Sequence, residues 1–177
     1  MAVFIAQPTP ASVLPRSGAS GRIAAACGDF AYGLVAVLLR LVAAHDFFLA
    51  GQANIVGPAL PLRIGGASVS LLLPAGLRDE ALRPFAGAFP DGSAAPALIA
   101  YGIAYAEFVL PICLVLGFGT RIAAALLLLV TAVLQIYVAP AALWTQHIYW
   151  ASILLVLITR GGGSIALDAL LRRLYRP

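Results

Sequence analysis

The stretch AYGIAYAEFVLPICLVLG carries a carboxylate, Glu107, in the middle of a long apolar run, and an earlier apolar run carries a guanidinium, Arg40. An ionisable side chain at bilayer depth costs roughly 2.5–3.5 kcal/mol on insertion scales. Counted at about 1.5 Å per residue from one membrane boundary, both groups lie roughly ten residues in. Opposite charges at one depth predict an ion pair inside a helix bundle. Such a pair can fix helix register and do nothing else, or it can polarise a ligand site. The residues alone leave both readings open.

A second polar group lies toward the other boundary. His45 and Asp46 follow Arg40 by one to two turns, Gln135 reaches a similar depth, and His147 opens the last apolar run. Trp144, His147 and Trp150 fall at i, i+3 and i+6, which sets an imidazole between two indoles on one helical face. The tryptophans also suit an aromatic belt at the membrane interface. The convergence of these side chains describes a cavity for a planar, redox-active headgroup such as a quinone, with His and Asp exchanging its protons. Glu107, His147 and Arg40 are the candidate catalytic residues; His45, Asp46, Gln135, Trp144 and Trp150 are the candidate ligand-binding ones. No metal site is expected, because the adjacent His45 and Asp46 point apart on a helix and no H-x-x-x-H, E-x-x-H or C-x-x-C spacing occurs. Gly161-Gly162-Gly163 follows an apolar run and reads as a flexible joint, not a phosphate loop.

The elements that must hold these groups are membrane helices. The chain has 177 residues, 62% of them hydrophobic and 10% charged, with a mean hydropathy of +0.99. Water-soluble domains carry about 25% charged residues. All eleven basic residues are arginine, and the net charge of +4 comes without the basic face of a nucleic-acid binder. The lone cysteines, Cys27 and Cys113, form no C-x-x-C and read as small packing residues. Ile23-Ala24-Ala25-Ala26 before Cys27 faintly resembles a lipoprotein box, but the preceding PRSGASGR lacks the apolar segment that a signal needs.

The expected fold is an all-α integral membrane protein. It comprises a flexible cytoplasmic tail over 1–28, a membrane domain over 29–160, and an amphipathic interfacial helix over 161–177. Four spans are read at about 30–52, 97–117, 122–139 and 143–159, each near the roughly 17–25 residues that cross a bilayer. The outer loop, 53–96, is too long to be structureless. Within it, Pro61–Ile64 and Ala67–Leu71 around Gly65-Gly66 read as a small β-hairpin, and Asp79–Arg83 as a short helix ended by Pro84. Arginine counting puts both termini in the cytoplasm. That side receives Arg16, Arg22, Arg121, Arg160, Arg172, Arg173 and Arg176, against Arg63, Arg78 and Arg83 with Asp79, Glu80 and Asp91 outside. Leu167, Leu170, Leu171 and Leu174 share a face of the tail helix, with Ser164 as its expected N-cap.

These residues together resemble the DoxX family of small bacterial inner-membrane proteins. The likeness rests on Arg40, Phe47–Gly51, Ala106–Pro111, Leu116–Arg121, Gln135–Pro140, His147–Trp150, Arg160–Gly163 and Leu167-Asp168. The chain departs from the family at Asn54, where a lysine is usual, at Gly162, where proline is, and at Ala166, where serine is. The resemblance implies a four-helix bundle in the inner membrane and association with redox systems, among them thiosulfate:quinone oxidoreduction and complexes dealing with thiol or oxidative stress. Other members accompany metal-stress or cofactor-maturation systems. The leading expectation is a redox subunit with a quinone-like ligand and a protein partner in a membrane complex, able to oligomerise and without nucleic acid. The alternative is a non-enzymatic anchor that docks a partner through its outer loop. A small transporter is disfavoured, since no inverted repeat is visible.

Overall fold

The computed structural model describes residues 19–64, 67–86 and 94–174. Residues 1–18, 87–93 and 175–177 and the Gly65-Gly66 turn lie outside these, and with them most of the expected tail and Arg16, Asp91 and Arg176. Helix α1 runs Ala19–Asn54; a short cap follows, with strands β1 (Ile55–Val56), β2 (Ala59–Ile64), β3 (Ala67–Leu72) and β4 (Gly76–Leu77) and helix α2 (Asp79–Ala86). Then come α3 (Ala95–Leu116), α4 (Thr120–Tyr137), a 3-10 turn (Pro140–Ala142), a π-turn (Leu143–His147), α5 (Ile148–Arg160) and α6 (Leu167–Leu174). Among the described residues, four stretches are long and apolar enough to cross a membrane: Ala25–Asn54, Ala95–Leu116, Thr120–Tyr137 and Pro140–Arg160. The chain is a multi-pass membrane protein in contact with lipid.

The four spans form a ring in which α1 packs on α3 and α5, and α4 packs on α3 and α5. Ala43 and Ala44 from α1 and Ala123 and Ala124 from α4 share one buried core with Phe47, Leu114, Leu127, Leu154 and Leu157, and such small residues let neighbouring membrane helices pack closely. Most remaining large apolar side chains face outward, as lipid contact requires. Gly117 and Gly119 both have positive φ (71° and 56°), which only glycine adopts at low cost. Gly117 closes α3 with Phe118 N–H donating to Cys113 O at 2.9 Å, and the chain turns straight into α4.

The cap is one long hairpin in two sections. Strands β2 and β3 pair antiparallel from Ala59↔Leu72 to Ile64↔Ala67, the hairpin expected around the two glycines. Below it β1 pairs with β4 through Ile55↔Leu77 and Val56↔Gly76. The Gln52 side chain fastens the hairpin to α1: its amide donates to Leu72 O at 3.0 Å and accepts from Leu72 N–H at 2.8 Å. Buried Phe85 holds α2 against Ala100, Ile103 and Val130.

Several boundaries differ from expectation. Helix α1 begins at Ala19 rather than near Phe30, because the alanines at 24–26 favour helix, so residues 19–28 of the expected tail are helical. Residues 25–31 are exposed, and α1 projects past the bundle. Pro84 does not end α2, which continues to Ala86 with Phe85 as its anchor. Ser164 does not cap the last helix; its hydroxyl donates to Asp29 O at 3.3 Å, and α6 starts at Leu167.

Candidate functional site

Arg40 and Glu107 are both buried, 3% and 1% exposed, but they do not meet. Gly51 of α1 lies on the backbone of Glu107, while Gly117 at the end of α3 lies on the Arg40 guanidinium. The helices run antiparallel, so Arg40 sits about eleven residues, or roughly 16 Å, from the level of Glu107. The depth count erred on α1, whose first turns lie outside the bundle. Arg40 belongs to the end that carries α6, here the tail end. It donates through Nε to Ala36 O at 3.3 Å and through Nη2 to Ile165 O at 3.4 Å. It ties α1 to the joint before α6.

Glu107 lies under the cap and accepts from Asn54 Nδ2 at 3.2 Å through Oε2. An amide, not a cation, stands beside the carboxyl. Pro111 follows Glu107 by one turn and has no N–H, so the Glu107 carbonyl lacks its helical donor. A cavity of about 100 Å³ opens beyond Asn54, between Ala104, Leu134, Val138, Glu80 and Phe85.

The other candidates form a chain that runs from mid-span on α1 to the cap end of α4 and α5. His45 Nδ1 and Asp46 Oδ1 are 2.9 Å apart, bonding between neighbours that had been expected to point apart. Asp46 Oδ2 accepts from Trp150 Nε1 at 3.3 Å, which joins α1 to α5. The Trp150 ring is 5.0 Å from Phe47 and 5.5 Å from the His147 imidazole, centroid to centroid. His147, 4% exposed, has its Nδ1 2.6 Å from Gln135 Oε1. Gln135 Nε2 donates to Pro140 O at 2.6 Å, which fixes which end of the amide faces the imidazole. Nδ1 of His147 must then carry the hydrogen in that bond. Trp144 is 76% exposed and takes no part; the π-turn over Leu143–His147 inserts a residue and spoils the i, i+3 relation to His147.

A groove of about 360 Å³ between α1 and α3 passes this cluster. Leu41, Ala44, Phe48, Ile112, Val115 and Leu116 are among its walls, and His45 is the polar residue on it. Such a groove can hold an apolar chain along its length and offer one hydrogen-bonding group partway along it.

Two partners went unnoticed in the sequence. Asn54 looked like a loop residue at the end of a span. Asp168 lies 48 positions beyond its partner Thr120, whose N–H it accepts at 2.9 Å, and it accepts from Gly119 N–H at 2.8 Å. Its own N–H donates to Gly117 O at 3.0 Å. Asp168 thus caps α4 from the far end of the chain and docks α6 to the α3–α4 turn.

The family model for DoxX matches residues 35–140, more than half of the chain, and the chain belongs to the DoxX family. The match covers Arg40, the His45-Asp46 pair, Glu107 and Gln135 and ends before His147 and Trp150. No curated protein and no solved structure matches the chain.

Proposed function

We propose that this DoxX protein is a membrane subunit of a redox system that binds a quinone-like lipid in the groove between α1 and α3, with the ring at His45. The observation that carries the reading is the composition of that groove: apolar along α1 and α3, with one imidazole on its wall. Its volume of about 360 Å³ falls within the roughly 300–1,000 Å³ of small-ligand sites. A lipid-soluble ligand would enter sideways from the bilayer, tail first along Leu41 and Val115.

The chemistry asked of this chain is modest. Reducing a quinone consumes electrons and protons in equal number. The electrons come, in this reading, from a protein partner. In this reading His45 supplies a proton to a ring oxygen and regains one through water that reaches the groove, while Asp46 orients the imidazole through Nδ1. Trp150 orients Asp46 in turn, and as a donor-only group it passes no proton onward. His147 and Gln135 hold Trp150 from behind as positioning residues. The partner docks on the cap, whose Leu60, Arg63 and Ser70 are exposed. We place the tail end in the cytoplasm of an inner membrane, because Arg121, Arg160, Arg172 and Arg173 gather there.

The test is native mass spectrometry of the protein released gently from its own membrane, with solvent extraction of the same sample. A stoichiometric quinone that is lost in His45→Ala supports the reading. A retained protein partner with no small ligand would instead favour the anchor.

A further inference from the structure

Three arginines converge at the tail end on a depression of about 450 Å³. Arg121 is the second residue of α4, Arg160 the last of α5, and Arg172 lies in α6; Gly161, Gly162 and Asp168 complete the polar part of the wall. Among the described residues, none of the three is within ion-pair distance of a carboxylate. Asp168, the acid on the wall, has both oxygens engaged by the Gly119 and Thr120 N–H groups. Arg121 gives one N–H to Thr159 O at 3.2 Å, and Arg160 lies over the Tyr32 ring at 5.3 Å. A guanidinium has five N–H donors, so most remain for a ligand. Arg160 and Arg172 also line an adjoining depression of about 250 Å³ with Tyr32, Ser164 and Asp29.

The location narrows the ligand. Arg121 and Arg160 mark the ends of two membrane spans, the level at which lipid headgroups lie. Helix α6 turns Ala169 inward, next to buried Ala166 just before it, and leaves Leu167, Leu170 and Leu174 exposed. A forked cation pairs bidentately with phosphate oxygens, and basic pockets between membrane helices recognise anionic headgroups. We propose that this depression binds the phosphate of an anionic phospholipid through Arg121, Arg160 and Arg172, with the α6 leucines against its acyl chains. A soluble phosphate has the same head chemistry but no use for the leucines. The depression shares no lining residue with the His45 groove and the proposal stands or falls apart from that one.

The test titrates the detergent-solubilised full chain with phosphatidylglycerol and, separately, phosphatidylcholine of the same acyl chains, read by native mass spectrometry. Phosphatidylglycerol is expected to bind preferentially, and Arg160→Gln and Arg172→Gln each weaken it by roughly fivefold. Arg63→Gln, in the cap, leaves it unchanged. The Arg172 guanidinium bonds to none of the described residues, so Arg172→Gln should keep its fold, and its thermal midpoint checks this. Equal binding of both lipids, or undiminished phosphatidylglycerol binding in the Arg160→Gln/Arg172→Gln double variant, overturns the proposal. Inorganic phosphate is the third ligand: binding as tight as that of phosphatidylglycerol would make the ligand a soluble anion and sink the lipid assignment.

Discussion

A Cβ built on Gly51 would lie 2.9 Å from the carbonyl carbon of Glu107 and 3.0 Å from its oxygen. Helices α1 and α3 therefore touch backbone to backbone where Pro111 has left that carbonyl without its helical donor. Glycine at 51 lets the two spans close over the buried carboxyl.

Gly51→Ala should force α1 and α3 apart and cost about 1–3 kcal/mol, the usual range for overpacking a closed contact. Gly102→Ala, in α3 with nothing within 4 Å, should be neutral or slightly stabilising, since alanine is the better helix former. Thermal midpoints of the two variants in one detergent compare them directly; equal midpoints would mean that the contact is not tight.

Asp168→Ala should destabilise by about 0.5–2 kcal/mol, the range for a lost helix cap, and should also loosen α6. Limited trypsin digestion reads the second effect, because Arg172 and Arg173 lie in that helix. Cleavage there should speed up while cleavage at Arg63 keeps its wild-type rate. A uniform increase would point to global unfolding instead.

Trp150 can report on its own bond. In a Trp144→Phe background one of the two tryptophans remains, the one whose Nε1 donates to Asp46. Adding Asp46→Ala should shift the emission to the blue, as the indole loses a charged acceptor. His147→Ala should change its intensity more than its wavelength, because the imidazole stacks on the ring without bonding to it. An unchanged spectrum in both would rule out the link between α1 and α5.

Glu107→Gln keeps an acceptor for Asn54 and should leave the thermal midpoint close to wild type. Glu107→Ala leaves that half-buried amide without its partner, at about 1 kcal/mol. Asn54→Ala should recover part of this loss when combined with Glu107→Ala, and a double-mutant cycle over the two positions measures their coupling. Strictly additive losses would deny the bond.

Orientation follows from labelling. With Cys27 and Cys113 replaced by alanine, Arg173→Cys should react with an impermeant maleimide only after the cytoplasmic side is opened. Arg63→Cys should react from outside in intact cells. The reverse pattern would invert the arginine argument and leave the bundle as it is.

Much of the architecture was legible because its signals are local. Apolar runs of span length marked the four membrane helices, and the β-rich stretches flanking Gly65-Gly66 marked the hairpin. The Arg40–Glu107 pairing was misread because a depth count needs the level at which a helix enters the bundle. Composition does not show that α1 projects beyond its neighbours. Bonds across many residues were invisible for a related reason: nothing near Asp168 announces that it caps α4, and nothing near Asn54 announces Glu107. The link from Asp46 through Trp150 and His147 to Gln135 was partly readable, since polar and aromatic side chains stand out in apolar runs. Trp144 was misplaced because a π-turn has no sequence period of its own.

That turn divides the fourth span into two parts with different addressees. Below it, Leu154 and Leu157 are buried and belong to the bundle. In the turn itself, Leu143, Trp144 and Thr145 are exposed, like a float at the waterline. The surplus residue works as a swivel between them. Deleting one residue from Leu143–Gln146 would take out the surplus and restore an ordinary α-helical repeat while His147 and the part below it kept their seat. The span could then lose a residue above His147 at little expense to the bundle, whereas a deletion between Ile148 and Arg160 would unseat it.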